Sequence, residues 1–125
     1  MHSILIIEDE ESLRLTLADR LMMEGFQVQT AADGCEGVRL AEAEPPDLIL
    51  CDIMMPGMDG YGVLQTLQAQ ERTAAIPFIF LTAKANPQQV RAGMELGADD
   101  YLCKPVSKVD LLAAIHTWIG KHEQQ

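Results

Sequence analysis

The chain has 125 residues, a length suited to one domain whose core needs neither disulfides nor a structural metal. With 48% apolar and 22% charged residues it has the composition of a globular protein, not a disordered one. The net charge of -10 argues against nonspecific binding to DNA or anionic membranes, because both depend on clusters of Lys and Arg that this chain lacks.

Ile4 to Ile7 is a continuous aliphatic run, as expected of a parallel strand covered on both faces. Leu13, Leu17 and Leu21, with Leu15 and Met22 beside them, repeat at helical spacing, and Gly25 is a C-terminal stop. Phe26 to Ala31 reads as a second strand. Asp33-Gly34 opens a helix carrying Val38 and Ala41 that must end before Pro45-Pro46.

The pattern then repeats. Leu48 to Cys51 is a strand, followed by a loop to Gly60 and a helix from Tyr61 to about Gln70. A strand from Phe78 to Leu81 precedes a helix from Pro87 to Leu96, and Tyr101 to Cys103 forms the last strand. The final helix starts at Ser107, which has capping-box spacing to Asp110, and carries a stripe of Leu112, Ile115 and Ile119 with Trp118 as packing. Five strand-helix units predict an α/β fold, a doubly wound parallel sheet with helices on both faces and right-handed crossovers. One domain over residues 1–125 is expected, without a low-complexity tract or a tail beyond Lys121 to Gln125.

Cys35, Cys51 and Cys103 are odd in number and widely spaced, which fits reduced core thiols. His2, His116 and His122 show no zinc-ligand spacing. No apolar run approaches the ~20 residues of a membrane span, and acids follow the first strand at once, so a soluble cytoplasmic protein is expected.

In open parallel sheets, ligands bind beyond the carboxyl ends of the strands. That rule selects Glu8 and Asp9, Asp52, Thr82 and Lys104. A lone carboxylate, Asp52, closes the apolar run Leu48 to Cys51, and a buried ionised carboxylate is costly unless something pairs with it. Three acids on one rim repel unless a cation joins them, and a hard divalent ion such as Mg²⁺ favours such oxygen ligands. Lys104 offers a positive charge and Thr82 a hydroxyl to a phosphoryl group, while Asp52 can serve as nucleophile. Together these parts suit in-line phosphoryl transfer.

Ile6-Ile7-Glu8-Asp9-Glu10, Cys51-Asp52-Ile53-Met54-Met55-Pro56-Gly57-Met58-Asp59-Gly60, Leu81-Thr82-Ala83 and Lys104-Pro105 resemble the receiver domain of two-component response regulators, of the chemotaxis-type, flavodoxin-like fold. The run Leu96-Gly97-Ala98-Asp99-Asp100-Tyr101-Leu102 reinforces the match, which covers essentially the whole chain. The resemblance implies strand order 2-1-3-4-5. It also implies that Asp52 accepts a phosphoryl group from a sensor histidine kinase or phosphotransfer protein, with Mg²⁺ (or Mn²⁺) held by Asp9, Asp52 and the Met54 backbone carbonyl, and by Glu8 through water.

Thr82 and Tyr101 would act as the switch. The surface of the fourth helix, last strand and last helix would then change to control a downstream effector or a fused output domain. The resemblance allows a homodimer through that surface, and implies no direct nucleic-acid binding, no membrane contact and no turnover beyond the phosphorylation and dephosphorylation of Asp52 itself. Met54 and Lys84 flank the path of a hydrolysing water and are expected to tune the lifetime of the aspartyl phosphate.

Two departures from the family pattern stand out: Glu8 replaces the first of two common aspartates, and Val106 stands where phenylalanine commonly follows Lys-Pro. Three other classes are weaker. A binder of phosphorylated cofactors needs a Gly, Ser or Thr-rich nest where Glu8 to Glu11 stand. An aspartate-nucleophile phosphatase commonly has a second acid at the position of Met54. A phosphorylation-independent interaction module on the same scaffold is the remaining alternative.

Overall fold

The computed structural model describes residues 1–83 and 86–123, with side chains described up to residue 120. The strands are β1 (Ser3–Ile7), β2 (Gln27–Ala31), β3 (Leu48–Asp52), β4 (Phe78–Ala83) and β5 (Asp100–Lys104). The helices are α1 (Glu11–Met23), α2 (Gly34–Ala43), α3 (Gly60–Gln68), α4 (Pro87–Leu96) and α5 (Lys108–Glu123). All neighbouring strands pair in parallel, in the order β2-β1-β3-β4-β5 expected from the family.

The central strands read as unbroken apolar runs because each face meets helices. Ile4, Ile6, Leu48, Leu50, Ile79 and Leu81 enter one core with Leu17 and Leu21 of α1 and Leu111 and Ile115 of α5. The intervening Leu5, Ile7, Ile49, Cys51, Phe78 and Phe80 enter a second core with Val38 of α2 and Val63 and Leu67 of α3. The two-residue period of a strand sends alternate side chains to opposite faces, so α1 and α5 cover one face and α2 and α3 the other. Edge strand β2, by contrast, alternates between exposed and half-buried positions until Ala31.

Helix starts follow their caps. Asp33 accepts from the Glu36 N–H at 2.8 Å, Asp59 from Gly62 at 2.9 Å, and Asn86 from Gln88 at 3.0 Å. Ser107 accepts from the Asp110 N–H at 3.1 Å, the first half of the predicted capping box. Gly25, with φ of 93°, follows α1 in the left-handed conformation that suits a helix stop.

Several expectations need correction. Cys51 is buried, but Cys35 and Cys103 are exposed, so only one of the three free thiols belongs to the core. In α1 the predicted repeat is kept, with Leu17 and Leu21 buried and Leu13 partly so, while Leu15 and Met22 beside it are each about half exposed. On α5 the stripe runs through Leu111, Ala114, Ile115 and Ile119, with Leu112 only partly buried. Trp118 packs at the margin of this core, as anticipated, and also donates from Nε1 to Asp100 Oδ2 at 2.9 Å.

β3, β4 and β5 each extend to the residue that bears, or adjoins, a candidate site group. Asp52 pairs with Leu81, Thr82 with Cys103 and Ala83 with Lys104. Asp52 and Thr82 therefore hang from ladder-fixed backbone, while Lys104 stands at the last position of edge strand β5. Gly60, the first residue of α3, lies against the end of β3, where an added Cβ would meet the Asp52 carbonyl oxygen and, at 2.9 Å, Ile53 Cα. Backbone cannot rotate away as a side chain can. Gly60→Ala is expected to cost about 2 to 3 kcal/mol of stability in urea unfolding, and unchanged stability would refute this packing.

Candidate functional site

β1 lies between β2 and β3, so the chain leaves β1 on one side and returns for β3 on the other. The crevice at this reversal receives Glu8 and Asp9 from the end of β1 and Asp52 from the end of β3. One carboxylate oxygen from each of these three residues lies within 4.8 Å of the other two. Glu8 and Asp52 are buried while Asp9 is exposed, so the cluster has a closed floor and an open side.

Lys104 closes the cluster from the end of β5. Its Nζ lies 2.8 Å from Glu8 Oε1 and 3.1 Å from Asp52 Oδ2, and its side chain is only 18% exposed. The Glu8 contact is an ion pair, not a well-aligned hydrogen bond. Glu8 Oε2 accepts from the Glu10 N–H at 3.1 Å. Thr82, 1% exposed, stands at the end of β4 between the ends of β3 and β5.

Charge in this crevice is unbalanced: one ammonium faces two buried carboxylates, with a third acid alongside. Burial pushes the Glu8 carboxyl up to about 7; Lys104 and the Glu10 N–H oppose the shift, and the Asp52 charge adds to it. For Lys104, burial works to lower the value, but Glu8 and Asp52 more than offset it and hold the ammonium above its ordinary range. The Cys51 thiol, fully buried and beside Asp52, is likewise pushed up and stays protonated. The cluster therefore retains protons where it lacks positive charge. Oxygen donors only, a charge deficit and an open side at Asp9 fit a hard divalent cation.

The sequence-selected residues Glu8, Asp9, Asp52, Thr82 and Lys104 thus come together at one end of the sheet. Met54 follows Asp52 in the loop with its side chain 64% exposed, and Tyr101 faces outward from β5 at 38% exposure. Lys84 lies outside the described residues.

Two features were missed by sequence reasoning. The first is the direct Glu8 to Lys104 contact, reachable because glutamate carries one more methylene than aspartate. The second is a pair of α1 arginines that donate to backbone near the site: Arg14 Nη1 to the Glu8 carbonyl and Arg20 Nη1 to the Val106 carbonyl, each at 2.9 Å. Their only sequence signal is a long cation beside the buried stripe of a helix, which an exposed arginine shares.

Residues 4–116 match the family model described as the response regulator receiver domain. The DNA-binding dual master transcriptional regulator RpaA of Synechocystis is 40% identical over 124 residues, 99% of this chain and 52% of RpaA. The chain therefore spans about half the length of such relatives. Among solved structures, Vibrio cholerae chemotaxis protein CheY4 superposes with a TM-score of 0.89 at 30% identity, covering 94% of this chain and 98% of that one. The receiver domain of sensor histidine kinase PA1611 from Pseudomonas aeruginosa, solved with a magnesium ion coordinated in its active-site cleft, has a TM-score of 0.89 at 34% identity over 95% of this chain and 98% of that one.

Proposed function

We propose, from the premise that this chain belongs to the response regulator receiver domain family, that it is a phosphoacceptor switch in which residues 1–125 form one receiver unit and Asp52 is the nucleophile. The observation that carries the reading is the convergence of Glu8, Asp9, Asp52 and Lys104 within a few ångströms at the strand-order reversal. Asp9 and Asp52 would hold Mg²⁺ directly with the Met54 carbonyl, and Glu8 would hold it through water. The ion supplies charge neutralisation for an incoming phosphoryl group.

Asp52 lies on a strand fixed on both sides, so its carboxylate is pre-positioned for in-line attack. An oxygen of Asp52 bonds to phosphorus as the P–N bond of a kinase phosphohistidine breaks, and the departing imidazole keeps the electron pair and takes a proton. Lys104 and Thr82 then hold the new phosphoryl oxygens. Thr82 moves toward the adduct, Tyr101 turns inward, and the surface of α4, β5 and α5 changes. Met54 and Lys84 set the hydrolysis rate.

The signal donor is a sensor histidine kinase or phosphotransfer protein in the cytoplasm. RpaA, a DNA-binding regulator about twice as long as this chain, favours a fused output domain over a separate effector as the recipient of the switch. No helix among the described residues is long and apolar enough to cross a membrane.

Incubation with acetyl phosphate and Mg²⁺ tests the reading. A single labile phosphoryl adduct by intact mass, absent when the metal is chelated, is expected; no adduct at saturating Mg²⁺ would refute it. The pH dependence of metal affinity gives a second check. With Glu8 at about 7, a proton competes with the cation below that pH, so the Mg²⁺ dissociation constant should fall about tenfold from pH 6 to pH 8 by calorimetry. A flat profile would exclude Glu8 from the metal shell.

A further inference from the structure

Two arginines of α1 donate to backbone at or next to the strand ends that bear the site residues. Arg14 holds the Glu8 carbonyl, and Arg20, six residues on, holds the carbonyl of Val106. Val106 lies two residues past Lys104, and its side chain is buried in the same core as Leu17 and Leu21 of α1. The connection from β5 to α5 is thus fastened to α1 at Val106 by packing and by a charged hydrogen bond. A second tie, Lys108 Nζ to Glu24 Oε1 at 3.3 Å, joins two more exposed side chains and is a weak anchor. A part-buried guanidinium on a backbone carbonyl is the stronger kind of contact.

Lys104 carries its ammonium on a flexible stem, so the ordering of the backbone beneath it decides how long the charge stays in place. We infer that Arg20 is a positioning residue of this site: by fixing the Val106 carbonyl it sets the reach of Lys104 toward Glu8 and Asp52 at rest and toward the phosphoryl group during transfer. The inference rests on the phosphoacceptor reading above. Arg20 itself contacts neither the cation ligands nor the reacting atoms.

This role predicts two effects of opposite sign. A loosened Lys104 spends less time on the carboxylates and competes less with Mg²⁺, so metal binding tightens. The same loosening withdraws charge from the phosphoryl group, so transfer slows. General damage to the site would weaken both together.

The experiment compares wild type, Arg20→Met, Lys104→Met, the double variant and Glu24→Gln. Mg²⁺ affinity is read by calorimetry, and the limiting rate of acetyl phosphate labelling by intact mass. Arg20→Met is expected to tighten Mg²⁺ about threefold and slow labelling about fivefold, with neither change repeated in the Lys104→Met background and less than a twofold change in Glu24→Gln. If Lys104→Met does not label, the metal-binding cycle decides. Arg20→Met values equal to wild type, parallel weakening of both readouts, the same factors in the Lys104→Met background, or equal effects from Glu24→Gln would each overturn the inference. Failure of wild type to bind Mg²⁺ would instead overturn the phosphoacceptor reading, and the inference with it.

Discussion

Asp52→Asn is expected to abolish the acetyl phosphate adduct completely, while the metal-free protein remains at least as stable as wild type. The amide keeps the shape of the carboxylate but lacks the anionic oxygen that forms the P–O bond. Removing it also lifts a like charge from Glu8, whose carboxyl is held near 7 by burial first and by Asp52 in part. Lys104 keeps its 2.8 Å contact with Glu8, so the buried pair is not broken. Intact mass and urea unfolding on the same preparation separate the two effects. An adduct equal to that of wild type would move the acceptor elsewhere; loss of the adduct with loss of folding would leave the nucleophile assignment unsupported.

Lys104→Met should destabilise the metal-free protein by about 3 kcal/mol at pH 8.5 and by about 1 kcal/mol at pH 5. Methionine fills similar space but leaves Glu8 and Asp52 facing each other without a cation. The sign follows from the carboxylate. A buried acid raised to about 7 disfavours the charged form in the folded state, so its penalty is absent below the ordinary value of 4.5 and grows as pH rises toward 7. Without Lys104 that folded value rises further and the penalty continues to grow above pH 7. At pH 5 Glu8 is protonated with or without Lys104, so most of the difference vanishes. Equal destabilisation at both pH values would mean that Lys104 contributes packing alone. Saturating Mg²⁺ should restore much of the loss at pH 8.5, because the ion takes over the neutralisation.

The contrast between these variants defines how the site is built. In the phosphoacceptor reading Asp52 supplies the nucleophile while its charge adds to the cost of burying Glu8, and Lys104 offsets that cost and would serve the chemistry as well. The buried Glu8 carboxyl carries a protonation cost that a divalent cation held by Asp9 and Asp52 is expected to remove.

Much was legible in the sequence because local rules wrote it. The aliphatic runs Ile4 to Ile7 and Leu48 to Cys51 could only be satisfied by strands covered on both faces, and Asp33 and Ser107 do cap the helices they precede. The candidate acids and Lys104 were found because each follows such a run, and strand ends of a parallel sheet share one rim. Strand order was not legible in this way: each parallel strand presents the same apolar pattern, and the resemblance alone supplied 2-1-3-4-5.

What only the tertiary structure decided are relations between residues far apart in the chain. Leu15 and Met22 fall outside the core because the strands beneath α1 meet Leu17, Ala18 and Leu21, which leaves the apolar side chains beside that stripe facing outward. Glu8 pairs with Lys104 across 96 positions and Arg20 bonds to Val106 across 86, contacts set by the side-chain reach that packing leaves. Residue type and local spacing determine which groups stand at the strand ends, since hydrogen bonding and burial act over a few residues. Which charge meets which, and at what cost in protonation, is decided where the sheet brings those ends within a few ångströms in a poorly solvated crevice.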